Sequence, residues 1–267
     1  MPIPRGYSEA IVTPQQSRSV EAVWSYVATS SGRGVILPDG RCDLILRFRE
    51  DQRGTVQPVV TGPATQPYEI RYAAGDGWVG VRMRPERGIA VWGNAIGTAK
   101  DQVRRGAEAV TLVPALAELV DMAPCEAELR AGLLDVPDVL AHQDVDARVA
   151  RTVQQIHLTG GRVSVVELAA RVGVTARHLG RLFQSSVGLG VKTYIGLVRF
   201  HRALRLAARG GVALSEVAFE AGFADQAHLS RAVRRFGGIS PGRVPPELIL
   251  PDVAGSGQGL FGAAGQF

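Results

Sequence analysis

Cysteine, histidine and lysine are scarce in this chain, and each scarcity removes a class of function. Cys42 and Cys125 stand 83 positions apart with no Cys-x-x-Cys pair, so neither a disulfide framework nor a structural zinc site is expected. They read as two unpaired thiols in a reducing, cytoplasmic setting. Only five histidines are present, and His142 alone precedes residue 146. A metal-binding barrel in the first half, which needs several histidines beside a carboxylate, is therefore not expected, and no cofactor is. No apolar run reaches the roughly 18 residues of a membrane span. Met1 to Ala10 shows neither the basic nor the apolar region of a secretory signal. The first half holds no Ser/His/Asp or Cys/His pattern, phosphate loop or paired-carboxylate spacing, and the chain does not read as an enzyme.

What is present divides in two. A length of 267 residues with 46% hydrophobic content suits two globular domains of an α+β protein. Residues 1–145 carry 15 Lys and Arg against 18 Asp and Glu, whereas residues 146–250 carry 15 against 6. A basic second half beside a near-neutral first half points to a polyanion partner. Only Lys100 and Lys192 among the 30 cations are lysines; the rest are arginines.

Short β-like runs fill the first part: Gly34–Leu37, Asp43–Phe48, Val56–Val60, Tyr68–Tyr72 and Trp78–Met83. Turn residues at 38–40, 61–63 and 75–77 separate them. The expectation is a small β-barrel over residues 1–97. From Pro85 the period becomes helical, with Val110, Val113, Leu116, Ala117, Val120, Leu129, Leu133 and Leu134 at 3–4 residue spacing. Pro114, Pro124 and Pro137 should keep these helices short. Residues 98–145 thus read as a helical connector with a possible dimer surface at 107–140, ending in a linker at His142 to Asp146. Residues 247–267 read as a flexible tail poor in core formers.

The second half contains one unit twice. Val165 to Val174 matches Leu214 to Phe223 at an offset of 49, sharing Glu167 with Glu216, Ala169 with Ala218 and Gly173 with Gly222. At an offset of 50, His178, Leu179, Arg181 and Gly188 match His228, Leu229, Arg231 and Gly238. Each unit predicts two short helices around a glycine, with Thr175 and Asp225 as caps of the second helix. This is a helix-turn-helix, whose second helix enters the major groove of double-stranded DNA. The outer faces carry Ala176, Arg177, Gly180, Arg181 and Gln184 in one unit. In the other they carry Gln226, Ala227, Ser230, Arg231, Arg234 and Arg235. Arg and Gln suit guanine and adenine edges. Between the units an amphipathic helix is expected over Lys192 to Arg209, long enough to set the two reading helices about one duplex turn apart.

These residues resemble the DNA-binding domain of the AraC/XylS family of transcription regulators over 146–246. The stretch Val217-Ala218-Phe219-Glu220-Ala221-Gly222-Phe223-Ala224-Asp225-Gln226-Ala227-His228-Leu229-Ser230-Arg231, followed by Gly238-Ile239-Ser240-Pro241, is similar to the family signature. The resemblance implies DNA contacts at Arg177, Gly180, Arg181, Gln226, Ala227, His228, Ser230 and Arg231. Arg234 and Arg235 add phosphate contacts or a solvated face, and His228 suits packing or phosphate better than a base. Gly190-Val191 and Val244-Pro245 depart from the pattern, and Gly180 lacks the long side chain often found at its place. Residues 20–97 resemble an N-terminal domain of one group of these regulators, through Val35-Ile36-Leu37-Pro38-Asp39-Gly40-Arg41-Cys42-Asp43 and Gly80-Val81-Arg82-Met83-Arg84-Pro85. That resemblance implies a cupin-like, sensory or oligomerising domain.

The three tryptophans are core groups or the walls of an effector pocket. In the second reading Trp24, Trp78 and Trp92 surround an apolar or planar small molecule, with Asp39, Arg41, Asp43 and Arg82 as polar contacts. The favoured function is a regulator responsive to a small-molecule effector, possible as a homodimer, with RNA polymerase as partner if it activates. One alternative is a first half that only dimerises or binds a protein. Another is a DNA-binding covalent sensor, for which neither cysteine has a reactive context.

Overall fold

The computed structural model describes residues 6–49, 56–122, 126–140, 145–208 and 211–238. Residues 142–144 of the expected linker, Cys125, Pro124, Ile239–Pro241, Val244-Pro245 and the tail lie outside them.

The first half is a β-sheet backed by helices. Its strands are β1 (Gly6–Ile11), β2 (Val20–Val27), β3 (Gly32–Ile36), β4 (Asp43–Arg49), β5 (Gln57–Thr61), β6 (Tyr68–Tyr72), β7 (Asp76–Met83) and β8 (Val103–Arg105). Six form an antiparallel sheet in the order β1-β2-β7-β4-β5-β8, and β3 pairs with β6 as a separate ribbon. Hydrogen bonding among the described residues leaves β1 and β8 as edges, so the expected barrel is an open sheet with a ribbon across it. The ribbon strands pair with each other instead of extending the sheet, and β8 is only three residues long.

Strand alternation gives the sheet two unlike faces. Leu44, Leu46, Val60, Val79, Val81 and Met83 point to one side and are buried. There they pack with Trp92 of α1 (Gly88–Trp92), Ala109 of α2 (Ala107–Leu112), Leu116 of α3 (Ala115–Met122) and Leu129 and Leu133 of α4 (Glu126–Leu140). The helical segment is therefore part of the first core, and it contains a strand, β8, that the helical periodicity concealed. Pro137 lies inside α4 without ending it, because the bond it forfeits falls within the helix's last turn.

The second half is helical: α5 (Ala147–Leu158), α6 (Val165–Arg171), α7 (Ala176–Val187), α8 (Val191–Ala208), α9 (Leu214–Glu220) and α10 (Gln226–Gly237). Asp146 caps α5 by accepting from the Arg148 N–H at 2.9 Å. Ser164 and Glu167 form a reciprocal capping box at α6. Helix α8 runs through the middle, and Tyr194, Leu197, Phe200 and Leu204 are buried there against both units. Burial of side chains such as Phe183 and Leu229 contributes on the order of 2 kcal/mol each.

Candidate nucleic-acid interface and sheet-face cavity

Helices α7 and α10 are built alike. Gly173 and Gly222 hold φ of 71° and 85°, the left-handed turn that lets the first helix of each unit stop and the second begin. Thr175 then accepts from the His178 N–H at 3.2 Å, and Asp225 from the His228 N–H at 2.6 Å. Leu179 and Phe183, and likewise Leu229, Val233 and Phe236, turn inward and are buried. The remaining face of each helix is outward. Arg177, Arg181, Gln226, Ala227, Arg231, Arg234 and Arg235 are exposed, and Gly180, Gln184, His228 and Ser230 are half-buried. Neither helix carries a carboxylate. The unpaired N–H groups at each helix start add partial positive charge.

Individual side chains differ in freedom. His228 is held: its ring packs edge-on to Phe223 at 5.2 Å, and Nδ1 accepts from the Ala224 N–H at 3.4 Å. Ser230 donates to the Gln226 carbonyl one turn back at 2.9 Å. Arg235 lies over the Phe236 ring at 5.0 Å. A cleft of about 530 Å³ separates the two units, bordered by Lys192, Arg199, Arg231 and Arg235.

A second cavity, also about 530 Å³, lies between the free face of the six-stranded sheet and the β3–β6 ribbon. Its floor follows the strand register. Tyr7, Tyr26, Trp78 and Arg47 lie abreast across four strands, and the next row holds Glu9, Trp24, Gly80 and Ile45. Asp43 and Arg82 face one another a pair further on. The Trp24 indole lies flat over Gly80, where a Cβ would stand 2.4 Å from the ring. Its Nε1–H donates to Asp43 Oδ1 at 3.0 Å. Tyr26 stacks on Trp78 at 5.6 Å, and Tyr68 of the ribbon lines the opposite wall.

The charged end of this cavity is buried. Arg82 bonds Glu9 through Nη1, and its Nε lies 3.1 Å from Asp39 and 3.8 Å from Asp43. Burial pushes the Asp43 carboxyl up to about 7 despite the Arg82 charge, with Asp39 adding to the rise. Arg41 is buried against Glu21; burial alone would raise the Glu21 carboxyl, but Arg41 holds it low.

Of the residues expected around an effector, Trp24, Asp39, Arg41, Asp43, Trp78 and Arg82 line this cavity. Trp92 does not. It is buried in the helix-covered core on the other side of the sheet, donating Nε1–H to the Thr61 carbonyl at 3.0 Å. Its position at the end of α1 turns it towards the apolar face. Tyr7 and Tyr26 also line it, on β1 and β2, which the sequence pattern does not reveal as strands; Tyr68 lines it from β6, a strand the pattern reveals without showing which face it turns to. Cys42 is buried and its thiol is held well above the usual range by burial.

Residues 168–244 match the family model described as a helix-turn-helix domain, and residues 13–104 match a domain of unknown function (DUF6597). The HTH-type transcriptional regulator GlxA of Rhizobium meliloti is 35% identical over 75 residues, covering 28% of this chain and 23% of that protein. The Msm operon regulatory protein of Streptococcus mutans is 27% identical over 89 residues, 33% of this chain and 32% of that protein. Residues 168–244 are an AraC-type helix-turn-helix domain. The chain spans only about a quarter to a third of the length of these curated relatives. Among solved structures, ToxT from Vibrio cholerae is similar at 9% identity with a TM-score of 0.42, covering 89% of this chain and 97% of that one. The C-terminal domain of AraT from Geobacillus stearothermophilus is similar at 20% identity with a TM-score of 0.36, covering 38% and 84%.

The AraC-type domain meets the first half along one loop. In Leu37 to Cys42 the chain faces both ways. Leu37 joins the core of the AraC-type domain, and the Pro38 carbonyl accepts from His201 Nε2 of α8 at 2.8 Å. Gly40, at φ 72°, leaves only 2.9 Å between its would-be Cβ and Leu197 of the same helix. Asp39 and Arg41, from the same six residues, line the cavity, and Leu37 borders it too. The C-terminal end of α7 also packs on the 3₁₀ turns Pro85–Arg87 and Gly93–Thr98. Its Arg177 and Arg181 end stays exposed.

Proposed function

We propose that this protein is a sequence-specific DNA-binding transcription regulator that reads two successive major-groove segments with α7 and α10. The observation that carries the reading is the pair of capped, carboxylate-free helices, each exposing arginines beyond a buried apolar stripe. Arg177, Arg181, Gln226 and Arg231 are assigned to base edges, and Arg234 and Arg235 to phosphates. His228 serves as a packing residue of its turn, and Gly180 and Ala227 permit close approach. Selecting bound fragments from the source genome with the purified chain tests this. Enrichment of a common two-part site supports it, and binding of random fragments alone refutes it.

The same proposal gives the first half a sensory role. We read it as a cupin-like, incompletely closed barrel whose cavity holds a small-molecule effector, with β8 and helices α2 to α4 inside it and a domain boundary near residue 146. The Leu37–Cys42 loop supports that role, because Leu37, Asp39 and Arg41 line the cavity while the Pro38 carbonyl and Gly40 meet the linker helix of the AraC-type domain. Effector occupancy is then expected to change affinity for the selected DNA site. A chain whose DNA affinity is insensitive to every cavity-binding compound would instead have a first half that dimerises or binds a protein.

A further inference from the structure

We infer that the sheet-face cavity takes an organic cation with a flat apolar body, an aromatic amine in chemical class, its nitrogen beside Asp39 and Asp43 and its rings between Trp24 and Trp78. The inference rests on the reading of this cavity as an effector site and adds the ligand's charge and shape.

Charge balance decides the sign. At the inner end three carboxylates, Glu9, Asp39 and Asp43, share the single guanidinium of Arg82. The neighbouring Arg41 pairs with a fourth acid, Glu21, and its backbone N–H donates to Asp39 Oδ1 at 3.0 Å, so two guanidinium groups stand among four carboxylates. An anion entering here would find Arg82 already surrounded and would meet two acids. A cation would relieve them, since buried like charges raise each other's energy. Asp43 uses Oδ1 for Trp24, and its other oxygen has no hydrogen-bond partner among the described residues. Arginines at the mouth do not reverse the balance. Arg47 reaches Asp76 at 3.4 Å and lies over the Trp78 ring at 5.7 Å, a place a ligand cation or ring would take over. Arg71 reaches Glu69 at 3.7 Å, while Arg105 is exposed and screened by water. No three His, Cys, Asp or Glu side chains among the described residues are placed to hold a metal ion, so a bare ion does not account for the acid excess. The aromatic rows next to it supply π faces that attract organic cations, and about 530 Å³ accommodates a two- or three-ring molecule.

Three probes with one ring system separate charge from shape: 1-naphthylmethylammonium, 1-naphthylmethanol and 1-naphthaleneacetate. They are titrated against the full chain by calorimetry, with quenching of tryptophan fluorescence as a second readout. The amine is expected to bind at least about tenfold more tightly than the alcohol and the acetate. Asp43→Asn is expected to cost the amine about tenfold or more and to leave the alcohol unchanged. Acetate binding as tight as the amine, or no binding by any probe, overturns the inference. So does an Asp43→Asn chain that melts normally and keeps wild-type amine affinity. The comparison among probes needs no variant, so a misfolded mutant does not shelter the idea. Amine binding that depends on Asp43 but leaves DNA affinity unchanged would uphold the ligand class and remove the effector role.

Discussion

Acid should weaken the fold through one buried histidine, and a single substitution should flatten that response. His201 sits on α8 at 1% exposure. Its ring packs edge-on to Phe200 at 5.2 Å and its Nε2–H donates to the Pro38 carbonyl. Nδ1 is buried with no hydrogen-bond partner. Burial pushes the imidazole down to about 4; the Pro38 bond and Asp39 oppose this, and Arg205 and Arg41 add to it. The unfolded chain therefore takes up this proton first. His201 contributes its full stability above about pH 6.5, and the contribution is lost as pH falls towards 4. At ~1.4 kcal/mol per pH unit the total is about 3 kcal/mol, of which about 1.4 kcal/mol has gone by pH ~5.5.

Asp43 works in the opposite sense. Its carboxyl, raised to about 7, takes a proton in the folded state before the unfolded chain does, so falling pH relieves the fold. The net slope of the natural protein therefore mixes two signs, and the difference between two proteins isolates one of them. His201→Gln keeps an amide N–H for Pro38 and has nothing to titrate. Urea unfolding of both proteins between about pH 7.5 and pH 5, at fixed ionic strength, should show their stabilities converging or crossing as pH falls. The gap is expected to change by more than about 1 kcal/mol. Parallel curves would mean that His201 is not held neutral by burial, and the described seat of the Pro38 loop on α8 would fall with it.

Arg231→Ala should cost about 1–3 kcal/mol on a specific site and relax preference at one base pair, as read by competition against single-base variants. Arg234→Ala should weaken all sequences alike and lower the salt slope by about one ion; equal effects of both variants on specific and random DNA would contradict the assignment. Ala213 caps α9 without a side-chain bond, although Glu216 stands where Glu167 completes the capping box of the first unit. Ala213→Ser should therefore stabilise the chain by about 1 kcal/mol in thermal or urea unfolding. Gly40→Ala meets both the left-handed backbone and Leu197, and should cost at least about 1–2 kcal/mol. All three tryptophans lie in the first half, so their fluorescence and helical circular dichroism should unfold together in the natural protein and separate in this variant.

The repeat was legible because helix starts and stops are written in local chemistry. Thr175, Asp225, Gly173 and Gly222 each act within three or four residues of themselves, and the structure places every one as the spacing predicts. Strands β4, β5 and β7 of the sheet and β3 and β6 of the ribbon were legible for the same reason, being apolar runs bounded by turn residues. Strands β1, β2 and β8 were not. Gly6–Ile11 has no apolar alternation, and its Glu9 is buried only because Arg82, 73 positions away, waits across the sheet. Trp92 could be recognised as a large buried group, but nothing local says which face of the sheet receives it.

The contact between the halves was equally hidden, since it depends on side-chain direction in one short loop. The Pro38 carbonyl and Gly40 meet α8, Asp39 and Arg41 line the cavity, and Leu37 borders both the cavity and the helical core. The sequence shows only a Pro-Asp-Gly turn, and that turn was the correct reading of its backbone. A ligand changes an equilibrium only by binding its two states unequally, and under the proposed sensory role this loop is where such a difference would arise. An amine drawn to Asp39 pulls on the same six residues that His201 and Leu197 hold from the other side. If the loop shifts, Leu37 leaves a well-packed core, which costs on the order of 2 kcal/mol. That is enough to matter for the placing of α8, and α8 is the spacer that fixes α7 against α10. DNA affinity would then respond through the distance between two reading helices, with neither of them touching the ligand.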